Sequence, residues 1–182
     1  AKKDLFVKPF IRGSRGRFAK KFRVFEENTK KLRMPKFYGL EKFGKPDLID
    51  INEGDEINVR FAGSLRDYQK DVINKVLPQI QNQEGGTISL PPGRGKTVIA
   101  NYLISALKKK TLVIVHKTFL LNQWINRINQ FLPDARVGKI QGPTVDIEDK
   151  DIVIGMLQSI CSRDYDDGVF DDYGLIIIDE CH

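Results

Sequence analysis

The run Pro91-Pro92-Gly93-Arg94-Gly95-Lys96-Thr97 holds the residue types that grip phosphate. An apolar stretch, Thr87-Ile88-Ser89-Leu90, precedes it, and the pattern Val98-Ile99-Ala100-Asn101-Tyr102-Leu103-Ile104 follows. Strand, Gly-rich turn and helix in that order make a phosphate-binding loop. The glycines let backbone N–H groups close around phosphate oxygens, and a helix N-terminus adds partial positive charge. Pro92, Gly93, Arg94, Gly95, Lys96 and Thr97 are therefore the expected cradle. Lys96 would place a point charge at the β- and γ-phosphates, and Thr97 would offer its hydroxyl to Mg²⁺. A nucleoside triphosphate, ATP first, is the expected ligand. The usual pattern has glycine where this chain has Leu90.

A second constellation closes the chain. Leu175-Ile176-Ile177-Ile178 is a continuous apolar run that ends in Asp179-Glu180. Such a run predicts a strand buried on both faces, as in a parallel sheet. The carboxyl ends of such strands are where open α/β sheets bind ligands. Asp179 is the candidate metal ligand, through water, and Glu180 the candidate group that orients or deprotonates an attacking water. A solvated acidic turn is the plain alternative for this pair, and the phosphate loop upstream weighs against it.

These residues need a scaffold, and the periodicity from residue 65 onward predicts one. Leu65, Tyr68, Val72, Val76 and Ile80 share a helical face. A strand is expected over 87–90, then a helix over 97–109. Further strands are expected over 111–115, 136–140, 151–154 and 175–178, with helices over 119–131 and 156–161. Strands alternating with helices imply a parallel sheet covered on both faces. The fold class is thus α/β, a RecA-like lobe over 63–182, carrying a smaller appendage over 1–62.

The appendage reads differently. Residues 1–45 carry 15 Lys and Arg against 4 Asp and Glu, a net charge of +11, while the remainder carries −5 of the overall +6. Short aromatic or β-branched runs, Leu5-Phe6-Val7 and Phe22-Arg23-Val24-Phe25, flank a Gly/Arg stretch over Arg12–Arg17. A small basic β-containing unit is expected, with nucleic acid as the first candidate for its polyanion partner. Its aromatics form either a base-stacking surface or, more commonly, the core of a small β unit. No apolar run reaches the length of about 20 residues that a membrane span needs. Cys161 and Cys181 form no disulfide framework or zinc spacing, which fits reduced thiols and an intracellular protein.

Asp179-Glu180-Cys181-His182 resembles the DExH box of superfamily-2 helicases and translocases. Leu65-Arg66-Asp67-Tyr68-Gln69 resembles the L-R-x-Y-Q signature of the same superfamily. Leu90–Thr97 looks like its motif I, in which the first glycine is often absent. Val113–Trp124 looks like motif Ia. The similarity runs over 65–182 in the right order and is nearest to the XPB-like branch, with its relatives in large DNA viruses. The resemblance implies that Gln69 reads adenine, with Arg66 against the base, and that Glu180 activates water. It implies that Lys96, Thr97 and Asp179 hold phosphates and Mg²⁺, that His182 links the nucleotide site to the nucleic-acid groove, and that His116, Lys117 and Thr118 contact backbone phosphates. Trp124 is expected in the core. Motifs III to VI are missing, so the expectation is an N-terminal fragment whose second lobe supplies the arginine fingers. DNA is the expected track; an RNA helicase lobe and a non-catalytic nucleic-acid-binding module are the alternatives.

Overall fold

The computed structural model describes residues 2–9, 19–83 and 85–181. The chain divides into two compact units, 1–51 and 52–182. The basic Gly/Arg stretch over Arg12–Arg17 lies outside the described residues.

In the first unit, β1 (Phe6–Val7) pairs antiparallel with β2 (Phe22–Arg23), and β3 (Glu26–Glu27) with β4 (Leu32–Arg33). Asn28 makes the second turn, its Oδ1 accepting from the Lys30 and Lys31 amides at 2.9 and 2.8 Å. Helix α1 (Lys36–Phe43) follows Pro35. Leu5 and Phe25 are buried, and Phe6 meets Phe25 edge-on at 5.4 Å. These aromatics thus build a small core, while Phe22, Phe37 and Phe43 remain exposed.

The second unit begins earlier than composition suggests. Residues 52–62 carry the appendage's polar character, yet Ile57 and Val59 are buried in the main core with Val113, Trp124 and Ile152. Ser105 Oγ donates to the Val59 carbonyl at 2.9 Å and accepts from the Phe61 amide at 3.1 Å. Phe61 also stacks on Phe131 at 5.6 Å. Alternate burial of 57, 59 and 61 is a signal that the local charge pattern hides.

Helix α2 (Asp67–Gln83) then leads to α3 (Lys96–Leu107), which feeds β5 (Thr111–Val115). Helix α4 (Thr118–Phe131) returns the chain to β6 (Val137–Gln141) and β7 (Thr144–Asp146). Strand β8 (Ile152–Met156), the short helix α5 (Leu157–Cys161) and β9 (Leu175–Ile178) complete the lobe. The sheet order is β7-β6-β8-β5-β9, parallel except for the hairpin strand β7. Strands β5 and β8 are buried along nearly their whole length, as central parallel strands must be. Helix α4 presents Leu121, Trp124 and Ile128, spaced i, i+3, i+7, to the same core.

Two expectations are corrected here. Thr87–Leu90 forms no strand: Ile88 and Leu90 pack on Ile73, Ile99 and Leu103 of α2 and α3, which satisfies their apolar side chains without a ladder. Nor is β9 buried on both faces. Leu175 and Ile177 pack on the core, but Ile176 and Ile178 are 56% and 57% exposed, because β9 is the sheet's edge. The hairpin strand β7, turned by Gly142 at φ 54°, was not expected.

One ion pair pins the amino edge of the sheet. Arg136 grips Asp151 through Nη2 at 2.8 Å and Nε at 3.1 Å, and its amide donates to Oδ2 at 2.8 Å. Burial alone would raise the Asp151 carboxyl, but the side-chain and backbone hydrogen bonds from Arg136 outweigh it and hold the pKa below the usual value. A carboxylate shifted this way adds stability above its unfolded pKa of about 3.9 and loses it as pH falls through the folded value. Asp151→Asn should therefore cost about 1–2 kcal/mol at neutral pH. Denaturant unfolding should show that gap close as the pH drops below about 4; a pH-independent gap would contradict the assignment.

Candidate active site

Every parallel strand of the lobe ends at one edge. The register sets Val115 beside Met156 and Ile114 beside Ile178, with Ile140 beside Gly155. His116-Lys117-Thr118, Gln141-Gly142, Gln158-Ser159 and Asp179-Glu180 therefore line the carboxyl edge together, where α/β sheets take ligands. Helix α3, about 18 Å long, enters β5 through Lys108–Lys110 alone. A three-residue connection turns the helix back against the strand direction, which directs its N-terminus and the glycine loop before it toward that same edge.

The loop's shape depends on two glycines. Gly93 and Gly95 have φ of 76° and 71°, in the left-handed region that side chains disfavour. Gly95 caps α3, and the first-turn amides of Lys96 and Thr97 are the orphan donors that any helix start leaves for an anion. Lys96 Nζ donates to the Leu90 carbonyl at 3.3 Å, a neutral acceptor that phosphate oxygens would outcompete. Thr97 lends its carbonyl to Asn101 Nδ2 at 2.7 Å.

The loop is held from outside by the start of α2. Tyr68 donates its hydroxyl to the Arg94 carbonyl at 3.0 Å, and Gln69 Nε2 reaches the same oxygen at 3.4 Å. Gln69 Oε1 accepts from the Arg66 amide at 2.9 Å. The Arg94 guanidinium lies 5.3 Å from the Tyr68 ring centroid, and Arg66 Nη1 donates to the Tyr68 hydroxyl at 3.4 Å. Gln69 is only 3% exposed. Its amide thus spans two backbone segments, and the structure brings Arg66, Gln69, Arg94 and Gly95 together as one cluster. Tyr68 belongs to that cluster although no role was expected of it; its place between Arg66 and Gln69 was the available signal.

At the far end of β9 the Asp179 amide donates to the Ile114 carbonyl at 3.0 Å, and its Oδ2 accepts from Trp124 Nε1 at 2.8 Å. Glu180 has φ of 56°, so the chain turns sharply where its carboxylate leaves the strand. Backbone outliers of this kind cluster at functional sites. His182 lies outside the described residues.

The α4 end of the edge is bound into a network that the sequence reading missed. Gln158 Nε2 donates to the His116 carbonyl at 3.1 Å, and Gln141 Nε2 to Thr118 Oγ1 at 3.4 Å. The Gly142 amide donates to Ser159 Oγ at 2.8 Å. Lys117 and Thr118 are exposed, and Lys117 Nζ lies 5.9 Å from the ring of exposed Phe119. A polar side chain on the last residue of β6 and another two residues past β8 were the signal for Gln141 and Gln158.

A family model described as type III restriction enzyme, res subunit, matches residues 62–182. A protein of Acanthamoeba polyphaga mimivirus, provisionally named an ATP-dependent RNA helicase, is 36% identical over 186 residues, covering 100% of this chain and 36% of the relative. A provisionally named helicase of Invertebrate iridescent virus 3 is 30% identical over 164 residues, 85% of this chain and 50% of its own length. A Haloarcula marismortui protein, provisionally named the DNA 3'-5' helicase Rad25, is 31% identical over 137 residues, 73% of this chain and 21% of its own. The chain therefore spans half or less of each of these relatives.

The two loop glycines separate in their demands. A Cβ on Gly93 meets nothing within 4 Å, whereas one on Gly95 would lie 2.5 Å from Gln69 Nε2. Gly93→Ala should cost about 1 kcal/mol, from backbone strain alone. Gly95→Ala should cost about 2–4 kcal/mol, since it also displaces a buried amide. Equal unfolding free energies for the two variants would show that the contact with Gln69 carries no weight.

Proposed function

This chain belongs to the family described as type III restriction enzyme, res subunit, a superfamily-2 helicase group, and we propose that it is the first motor lobe of an ATP-dependent DNA helicase or translocase. The observation that supports the reading is a glycine-shaped loop at the start of the helix that feeds β5, with a carboxylate pair directly after the neighbouring strand β9. Lys96, the amides of the α3 start and Arg94 would bind the triphosphate of ATP. Gln69 and Arg66 would face the adenine, and Gln69 would couple base recognition to the loop through the Arg94 carbonyl it already touches.

Thr97 and Asp179 are hard oxygen donors, the set that Mg²⁺ prefers. Among the described residues no group of three or more His, Cys, Asp and Glu could hold a metal. When bound, Mg²⁺ neutralises charge on the phosphate oxygens. Glu180 would orient water for in-line attack on the terminal phosphate and take up its proton. His116, Lys117 and Thr118, with the α4 start behind them, would bind backbone phosphates of the track. The basic first unit would add a second, salt-sensitive contact, and a second RecA-like lobe in the parent protein would supply the charge that completes the transition state. His182 would relay between nucleotide and track. The RNA reading draws on the name of the mimivirus relative.

Hydrolysis by the parent protein, compared on duplex DNA, single-stranded DNA and RNA at fixed salt, tests this. DNA should stimulate it most. Lys96→Ala should lose nucleotide affinity, and Glu180→Gln should keep affinity and lose turnover. The 182-residue chain alone should turn over about 10³–10⁵-fold more slowly, the usual worth of an arginine supplied in trans. Stimulation by RNA alone would replace DNA with RNA as the track. Binding of DNA should also weaken steeply with salt, and deleting Arg12–Arg23 should flatten that slope.

A further inference from the structure

Trp124 is the one tryptophan of this chain, and it is 2% exposed in the middle of α4. Packing would account for its burial. Packing does not account for where its N–H goes. A buried indole N–H needs an acceptor, and in this interior the acceptor is Oδ2 of Asp179, at 2.8 Å. That is the length of a charge-assisted bond, which is about twice as strong as one between neutral groups.

Asp179 is thereby held at two points. Its amide is fixed to β5 through the Ile114 carbonyl at 3.0 Å, and its carboxylate is fixed to α4 through Trp124. A carboxylate anchored by one oxygen cannot swing about its side-chain torsions, and its second oxygen then has a set direction. Groups that orient a ligating side chain in this way tune metal affinity by about 10–100-fold in other metal sites.

We propose that Trp124 is a positioning residue: by holding Oδ2 it fixes the Asp179 carboxylate in the orientation in which Oδ1 faces the divalent cation that accompanies the nucleotide. The proposal rests on the motor-lobe reading above. It assigns Trp124 an effect on the metal and none on the phosphate grip of Lys96 and the loop amides.

The test uses the 182-residue chain, with Lys96→Ala as the control for the nucleotide site. Trp124→Phe keeps an aromatic ring in the core and removes the N–H; Trp124→Met serves if the Phe variant melts out, since Met refills irregular space. Affinity for a fluorescent ATP analogue is read in EDTA and across a Mg²⁺ titration. The variant should need about tenfold more Mg²⁺ for half-saturation, the effect of losing one charge-assisted bond, with its affinity in EDTA unchanged. A purely structural Trp124 would lower both affinities together, and that result overturns the proposal, as does a wild-type Mg²⁺ dependence in the variant. A second readout needs no nucleotide. Asp179→Ala should shift the emission of Trp124 while leaving the fold intact by circular dichroism; an unshifted emission would show that the contact is not made. Failure of the motor-lobe reading looks different: the unmodified chain would bind the analogue without regard to Mg²⁺ or to Lys96→Ala, and the proposal would fall with it.

Discussion

Parallel strands cannot be joined by a tight turn, and most of this lobe follows from that constraint. Each connection between neighbours in the parallel sheet must cross a face, so every such strand ends at the same edge. Strands β5, β6, β8 and β9 obey it, and their ends bring together residues as far apart in sequence as His116 and Asp179. Helices α3 and α4 run back the other way, so their N-termini, with unpaired amides, open toward the edge. Helix starts gathered on one edge are thus a consequence of topology before any particular side chain is considered.

What the topology leaves open, local contacts decide. The glycine loop has no strand before it, because Ile88 and Leu90 lie on helices α2 and α3 instead of in a ladder. Its shape rests on Tyr68 and Gln69, which share the Arg94 carbonyl, and on Gly95, whose missing Cβ makes room for the Gln69 amide. The loop and the start of α2 are therefore one mechanical unit. Asp179 is fixed in a comparable way from α4, by an indole that is otherwise core. In both cases a residue with an ordinary packing role also sets the direction of a polar group at the edge.

Much of this was legible in the residues themselves. Helices α2 to α5 and strands β5, β6, β8 and β9 fall within a few residues of where periodicity placed them, because the core selects apolar side chains at 3.6- or 2-residue spacing. The candidate loop was legible for a similar reason: glycine is the residue that most readily takes the left-handed backbone angles seen at 93 and 95. The run at 175–178 misled on burial. Continuous apolarity predicts a strand covered on both faces, yet Ile176 and Ile178 face outward, since coverage depends on which elements lie alongside. Over 52–62 the polar neighbours Glu56, Asn58 and Arg60 masked the burial of Ile57 and Val59.

The amino-acid sequence by itself determined the α/β class, the order of the elements, the glycine-rich loop before α3 and the acidic pair that follows β9. All of these are local or periodic properties, set by backbone sterics and by side-chain hydrophobicity along short windows. Tertiary structure alone decided that Gln69 spends its amide on the Arg94 carbonyl, that Gln158 and Gln141 brace the α4 start, and that Trp124 reaches Asp179. Those pairings join residues 23 to 55 positions apart, and no window of sequence contains them. They exist because a directional hydrogen bond forms only after close packing has brought donor and acceptor within about 3 Å.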